Sequence, residues 1–135
     1  AVVMISNGTG IAPFLGMINQ NKNKLPIKLF VGLRHQDELS MHYQNFAQAQ
    51  INLHKLQSID FAFSRELDKM YVMNLVQNNA DYFCNLLLNN GSIMICGSLA
   101  MQQNVEHILN EILENRSLPN VSYFKNNHQI LSDCY

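Results

Sequence analysis

The sequence predicts an α/β fold: an open, doubly wound parallel sheet of about five strands with helices on both faces, making three layers. Three observations predict it. Apolar runs of strand length alternate with helix-length segments along the chain, the pattern left by successive strand–helix–strand crossovers. The run Ile27 to Val31 places apolar residues on both faces, as a strand buried between two helical layers requires. Glycines follow three of the strand candidates, at Gly8, Gly32 and Gly97, where a chain leaving a sheet must turn sharply.

Val2 to Ile5 is the first strand, followed by a glycine-rich turn and a helix from Ala12 on which Phe14, Leu15 and Ile18 share one face. Pro26 closes an Asn/Lys-rich connection, and Ile27 to Val31 is the second strand. Asp37 to Gln50 reads as a polar-rich helix with Leu39, Tyr43, Phe46 and Ala47 inward, and Ile59 to Phe63 as the third strand. Tyr71 to Leu88 carries one or two helices. Ser92 to Cys96 is the fourth strand, closed by Gly97, and Ala100 to Leu113 is a helix with Met101, Val105, Ile108, Leu109 and Ile112 at helical spacing. Beyond Pro119 the pattern weakens: Val121 to Phe124 reads as strand or short helix, and Ile130 with Leu131 as a last strand.

The chain has 135 residues, enough for one domain and no second core. With 47% apolar and 14% charged residues and a net charge of -1, it lacks the basic excess that grips nucleic acid, so no nucleic-acid partner is expected. Three scattered cysteines and five histidines show no metal-ligand spacing and no disulfide framework. A reducing compartment and no metal are therefore expected. The N-terminus opens directly on a strand pattern, which predicts a domain cut from a longer polypeptide. No nucleophile-elbow or Walker motif points to hydrolysis.

In an open parallel sheet, ligands bind beyond the carboxyl ends of the strands, so the residues there are the candidates. The first set is Ser6-Asn7-Gly8-Thr9-Gly10-Ile11-Ala12-Pro13-Phe14. Gly8 and Gly10 permit tight turning and close ligand approach, Pro13 suits the first turn of a helix, and the N–H groups at that helix start can face a pyrophosphate. The second set, Phe63 to Val72, gathers Ser64, Arg65, Lys69 and Tyr71. Such a cluster can be plain solvated surface; equally, a forked guanidinium, an ammonium and hydroxyls can surround a phosphate dianion. The third set is Cys96, Gly97, Ser98 and Met101, where a small thiol beside a glycine admits a flat ring or simply fills the core. The fourth is the end of the sequence, Asp133-Cys134-Tyr135.

These strings resemble the NADP-binding domain of the ferredoxin-NADP reductase superfamily, above all its diflavin branch, which includes the sulfite reductase flavoprotein and the reductase region of nitric oxide synthase. The resemblance covers nearly the whole chain in the same order, with Rossmann-like topology. It implies that Gly8, Thr9, Gly10 and Pro13 meet the nicotinamide and pyrophosphate. Gly32 to Glu38 matches the loop after the second strand, and Arg34 there is implied to contact the pyrophosphate. Ser64, Arg65, Lys69 and Tyr71 fall on the positions that hold the 2′-phosphate, so NADPH is favoured over NADH. Gly97, Ser98 and Met101 are implied as further cofactor contacts, Cys96 as a neighbour of the hydride-donating C4, and Asp133 as a carboxylate facing the nicotinamide. Tyr135 is implied to be the aromatic that covers the flavin and moves aside.

Three positions depart from the pattern: the step from Ser64 to Lys69 is one residue short, Met73 stands where glutamine is usual, and Ser98 replaces an acidic residue. The family's flavin motif is absent, so the resemblance implies that FAD sits on a domain preceding this one, with an FMN domain or another redox protein as acceptor. It also implies an enzyme of the cytoplasm, or of the cytoplasmic face of a membrane if an anchor lies elsewhere, with the isolated domain inactive. A non-catalytic nucleotide-binding or regulatory module on the same scaffold is the alternative from another class. A methyltransferase of similar architecture would want an acidic residue ending the second strand, and Arg34 stands near that place.

Overall fold

Alternation of two decides which face each strand residue serves, and it divides the interior into two cores. In the first strand Val3 and Ile5 point to one side and Met4 and Ser6 to the other, and all four are buried. The structure, a computed structural model, describes residues 1–135. Its strands are β1 (Val2–Asn7), β2 (Ile27–Leu33), β3 (Ser58–Phe63), β4 (Ser92–Gly97) and β5 (Ile130–Cys134). They form one sheet in the order β3-β2-β1-β4-β5, every pair parallel. The helices are α1 (Ala12–Asn19), α2 (Glu38–Asn52), α3 (Val72–Asn78), α4 (Ala80–Leu88), α5 (Leu99–Asn115) and α6 (Val121–Asn126), with a 3-10 turn over Gly8–Ile11 ahead of α1.

Helices α1 and α2 cover one face, where Ile11, Phe14, Ile18 and Ala47 pack on Met4, Leu29 and Val31. Helices α3 to α6 cover the other, where Phe83, Val105, Leu109 and Leu113 pack on Val3, Ile5, Phe30, Ile93 and Ile95. The chain winds outward from β1 to β3, then crosses back to β4 on the far side of β1. Winding therefore reverses between β1 and β4, and a crevice opens at their carboxyl ends. The three-layer α/β fold with five parallel strands expected from the sequence is the fold observed.

Differences from the expectation lie at element ends. The segment from Tyr71 to Leu88 resolves into α3 and α4, and Val121 to Phe124 is helical. Leu39 was expected inward but is 52% exposed: it sits in the first turn of α2 and lines the crevice at the strand ends, while Tyr43, Phe46 and Ala47 on that stripe reach the core side. Asp37 precedes α2 as its cap, accepting the Ser40 N–H at 3.0 Å while its own N–H donates to Ser40 Oγ at 2.9 Å. No helix is long and apolar enough to cross a membrane.

Gly8 and Gly10 serve different needs. Gly8 has φ +55 with open space around it, a left-handed conformation that favours glycine. Gly10 is buried against the end of β4, where an added Cβ would overlap the Cys96 carbonyl and lie 2.7 Å from Gly97 Cα. Close ligand approach, expected of both glycines, thus has room only at Gly8; Gly10 spends its missing side chain on packing. Gly10→Ala is expected to destabilise the fold by at least about 1–3 kcal/mol. Gly16→Ala, in α1 with nothing within 4 Å, is expected to stabilise by up to about 1 kcal/mol. Urea unfolding of both variants checks the contrast, and equal effects would remove the packing role of Gly10.

Candidate functional site

The crevice at the reversal is a cavity of about 610 Å³ lined from four strand ends and the start of α5. Asn7 ends β1 and Gly8 follows it; Leu33 ends β2, and Arg34 and His35 follow it; Ser64, Met70 and Tyr71 follow β3; Ser98, Ala100, Met101 and Asn104 follow β4. Six of the expected residues, Gly8, Arg34, Ser64, Tyr71, Ser98 and Met101, thus share one cavity wall. Thr9, Gly10, Pro13, Arg65, Lys69, Cys96, Gly97, Asp133 and Tyr135 do not line it.

The loops after β2 and β3 run side by side. The ladder between their strands continues one step beyond the sheet, with Ser64 N–H donating to Leu33 O and Arg65 N–H to Arg34 O, both at 2.9 Å. Arg34, Arg65 and Lys69 are all exposed, leaving both guanidinium groups and the ammonium open to an anionic ligand. Lys69 Nζ lies 5.4 Å from the centre of the Tyr71 ring, within cation–π range. At the β2–β3 end, Arg34, Ser64 and Tyr71 thus line the cavity, and Arg65 and Lys69 stand exposed on the same loop as Ser64 and Tyr71.

At the β1–β4 end one side chain joins the two strands. Asn7 Nδ2 donates to Ser98 Oγ at 3.1 Å, and Asn7 Oδ1 accepts the Ser98 N–H at 2.9 Å. Ser98 Oγ also accepts the Met101 N–H at 3.1 Å, capping α5. The serine where an acidic residue is usual is therefore held by Asn7 from one side and by the helix from the other. Gly97, at φ +152, is where a Cβ would collide with the Asn7 carboxamide oxygen, so the glycine makes room for this tie. Asn7 was part of the quoted loop but carried no role in the sequence; its partner lies 91 residues away. His35, Asp37, Met70 and Asn104 were also missed as cavity residues. His35, Asp37 and Met70 lie within the loops already singled out, and Asn104 stands one turn after Met101.

Cys96, Asp133 and Tyr135 form a separate group beside the cavity. Cys96 pairs with Ser6 on one side and Asp133 on the other in the parallel register, so the three side chains project from the same face. The Cys96 thiol is buried at 7% exposure. Burial first, and then Asp133 and Cys134, push its pKa up. It is a small neutral wall rather than a thiolate. Tyr135 is 74% exposed, yet it is fixed three ways. Its N–H donates to Gly97 O at 3.1 Å, its C=O accepts from Leu99 N at 2.9 Å, and its phenol shares a 2.6 Å hydrogen bond with the Thr9 hydroxyl. No cluster of three or more His, Cys, Asp or Glu is placed to hold a metal ion.

The family model described as the oxidoreductase NAD-binding domain matches residues 4–107. An NADPH–cytochrome P450 reductase of Aspergillus terreus is 34% identical over 128 residues, covering 87% of this chain and 18% of that protein. The reductase of Salmo trutta is 34% identical over 126 residues, covering 84% and 20%; that of Homo sapiens is 30% identical over 124, covering 83% and 18%. The chain spans about a fifth of the length of these relatives.

All three thiols have raised pKa values, burial being the first cause for each. A raised folded-state pKa contributes stability that is complete below the ordinary thiol range and is lost as pH rises through the folded value. The urea midpoint is therefore expected to hold through neutral pH and fall on the alkaline side. Cys96→Ala should flatten that fall; an unchanged slope would show that Cys96 is not among the groups responsible.

Proposed function

The chain belongs to the oxidoreductase NAD-binding domain family, and from that premise we propose that it is the NADPH-binding domain of a flavoprotein reductase, which presents the nicotinamide to an FAD held outside these residues. The observation that supports the reading is the meeting of the β2 and β3 loops: Arg34, Ser64 and Tyr71 line one end of the cavity, Arg65 is joined to Arg34 by a backbone hydrogen bond, and Lys69 lies over the Tyr71 ring. Arg34, implied at the pyrophosphate by the resemblance, is thereby grouped with this cluster. A cluster of that composition suits a phosphate dianion, with forked donors on the guanidinium groups and a point charge on the lysine. The 2′-phosphate is the dianion that separates NADPH from NADH. The P450 reductases among the relatives support an onward electron transfer, to an FMN domain or another redox protein.

Within this reading the cavity divides by chemistry. The β2–β3 end takes the adenosine half through charge and the Tyr71 ring; Gly8 and the N–H groups of the turn after it take the pyrophosphate; Thr9, Cys96, Asp133 and Tyr135 border the nicotinamide. When bound, the nicotinamide supplies a hydride and the flavin accepts it, so the protein's service is alignment. Cys96, kept protonated, gives the ring a close neutral neighbour. Asp133 is exposed, and its carboxylate favours the positive charge that grows on the ring as hydride leaves. Tyr135 holds the stacking place in the resting state through its bond to Thr9, and that bond breaks when the ring moves aside.

NADP⁺ or 2′,5′-ADP is expected to raise the melting temperature of the protein clearly more than NAD⁺ does at equal concentration. Arg65→Ala should weaken 2′,5′-ADP about ten- to a hundredfold, the worth of one or two charge-assisted hydrogen bonds, and leave NAD⁺ nearly unchanged. Equal shifts for the two cofactors, or a parallel loss in the variant, would count against the 2′-phosphate site and leave the non-catalytic nucleotide module as the better description.

A further inference from the structure

Arg34 and Arg65 stand on different loops, both exposed, and the backbone ladder joining those loops ends at the Arg65 to Arg34 hydrogen bond. The residue after Arg65 is Glu66, and its side chain continues the tie where the backbone stops. Its Oε1 accepts the backbone N–H of Gln36 at 2.7 Å and lies 3.6 Å from His35 Nδ1. We propose that Glu66 is a positioning residue for the 2′-phosphate site: its carboxylate straps the β2 loop to the β3 loop so that Arg34 and Arg65 converge on one dianion.

This inference rests on the NADPH reading above and names a residue which that reading does not use. Its logic is a contest between two effects. A carboxylate one residue from Arg65 repels a dianion, so on charge alone Glu66 weakens 2′-phosphate binding. That repulsion is screened, because the Glu66 side chain is 39% exposed. The hydrogen bond to Gln36 is short and charge-assisted, and it fixes two loops that are otherwise free to spread once their ladder ends. Two spread arginines pay the ordering cost only when ligand arrives, whereas a strapped pair has met it in advance. Geometry wins over charge in this contest, and the sign of the effect can be read directly.

The glutamine and alanine variants separate the two effects. Glu66→Gln keeps an oxygen acceptor for the Gln36 N–H and removes the charge; Glu66→Ala removes both. Binding of 2′,5′-ADP and of 5′-AMP, which lacks the 2′-phosphate, would be titrated on the wild-type protein and both variants, with the urea midpoint recorded for each. Glu66→Ala is expected to weaken 2′,5′-ADP about tenfold, the scale of one charged hydrogen bond, to change 5′-AMP by less than about twofold, and to leave the midpoint nearly unmoved. Glu66→Gln is expected to restore 2′,5′-ADP binding to the wild-type level or better. Tighter or unchanged 2′,5′-ADP binding in the alanine variant would overturn the strap in favour of simple repulsion. A glutamine variant as weak as alanine, or an equal loss for both ligands, would overturn it too. Wild-type protein that does not prefer 2′,5′-ADP to 5′-AMP would sink the NADPH reading itself, before any variant is compared.

Discussion

At the reversal between β1 and β4 two glycines let the turn after β1 and the end of β4 approach closely. Gly10 lies on the carbonyl of Cys96, and Gly97 leaves room for the amide of Asn7. The crevice depends on this approach, because it sets how far the first turn and the start of α5 stand apart. Ile11, next to Gly10, is completely buried in the core beneath α1, which anchors the 3-10 turn and delivers α1 to its face of the sheet. A bulkier residue at either glycine would push these parts away from each other and change the width of the ligand site.

The site is built in two halves of different character. At the β2–β3 end the side chains are long, charged and exposed, and what organises them is hydrogen bonding between loops. At the β1–β4 end Gly10, Cys96 and Gly97 are buried against one another, and what organises the groups around them is strand register together with the Asn7–Ser98 tie. Long charged side chains suit a phosphate, which tolerates variation in approach and is held by strength of charge. A hydride donor and acceptor tolerate far less, since reacting atoms must be held within tenths of an ångström. The stiffer half of the cavity is the half where that demand falls.

Much of this was legible in the sequence. Parallel strands buried on both faces announce themselves by apolar runs, and the glycines mark where those runs turn, so order and fold class followed. The carboxyl ends of the strands were harder to read. Ser6 and Asn7 belong to β1, and Ser132 and Asp133 to β5, yet all four are polar, and hydrophobic pattern stops short where polar residues take over. Leu39 misled for a related reason: helical spacing says which residues share a stripe, but not how far along the helix the sheet extends. Asn7 with Ser98 and Glu66 with Gln36 were invisible, since each pair meets only through register across 91 and 30 residues. Composition supplies the groups; topology alone makes them neighbours.

Because every strand runs the same way, Ala1 and Tyr135 come out at opposite ends of the strands, Ala1 at the amino end of the central strand and Tyr135 at the carboxyl end of an edge strand. One strand separates them along its direction, and a six-residue strand such as β1 spans about 20 Å at about 3.3 Å per residue. Any polypeptide joined ahead of Ala1 starts from the amino ends of the strands, away from the cavity. To face the nicotinamide end it must travel at least that distance around the domain, about six extended residues. A tether joined after Tyr135 begins beside Thr9 instead, within reach of the cavity from its first residue.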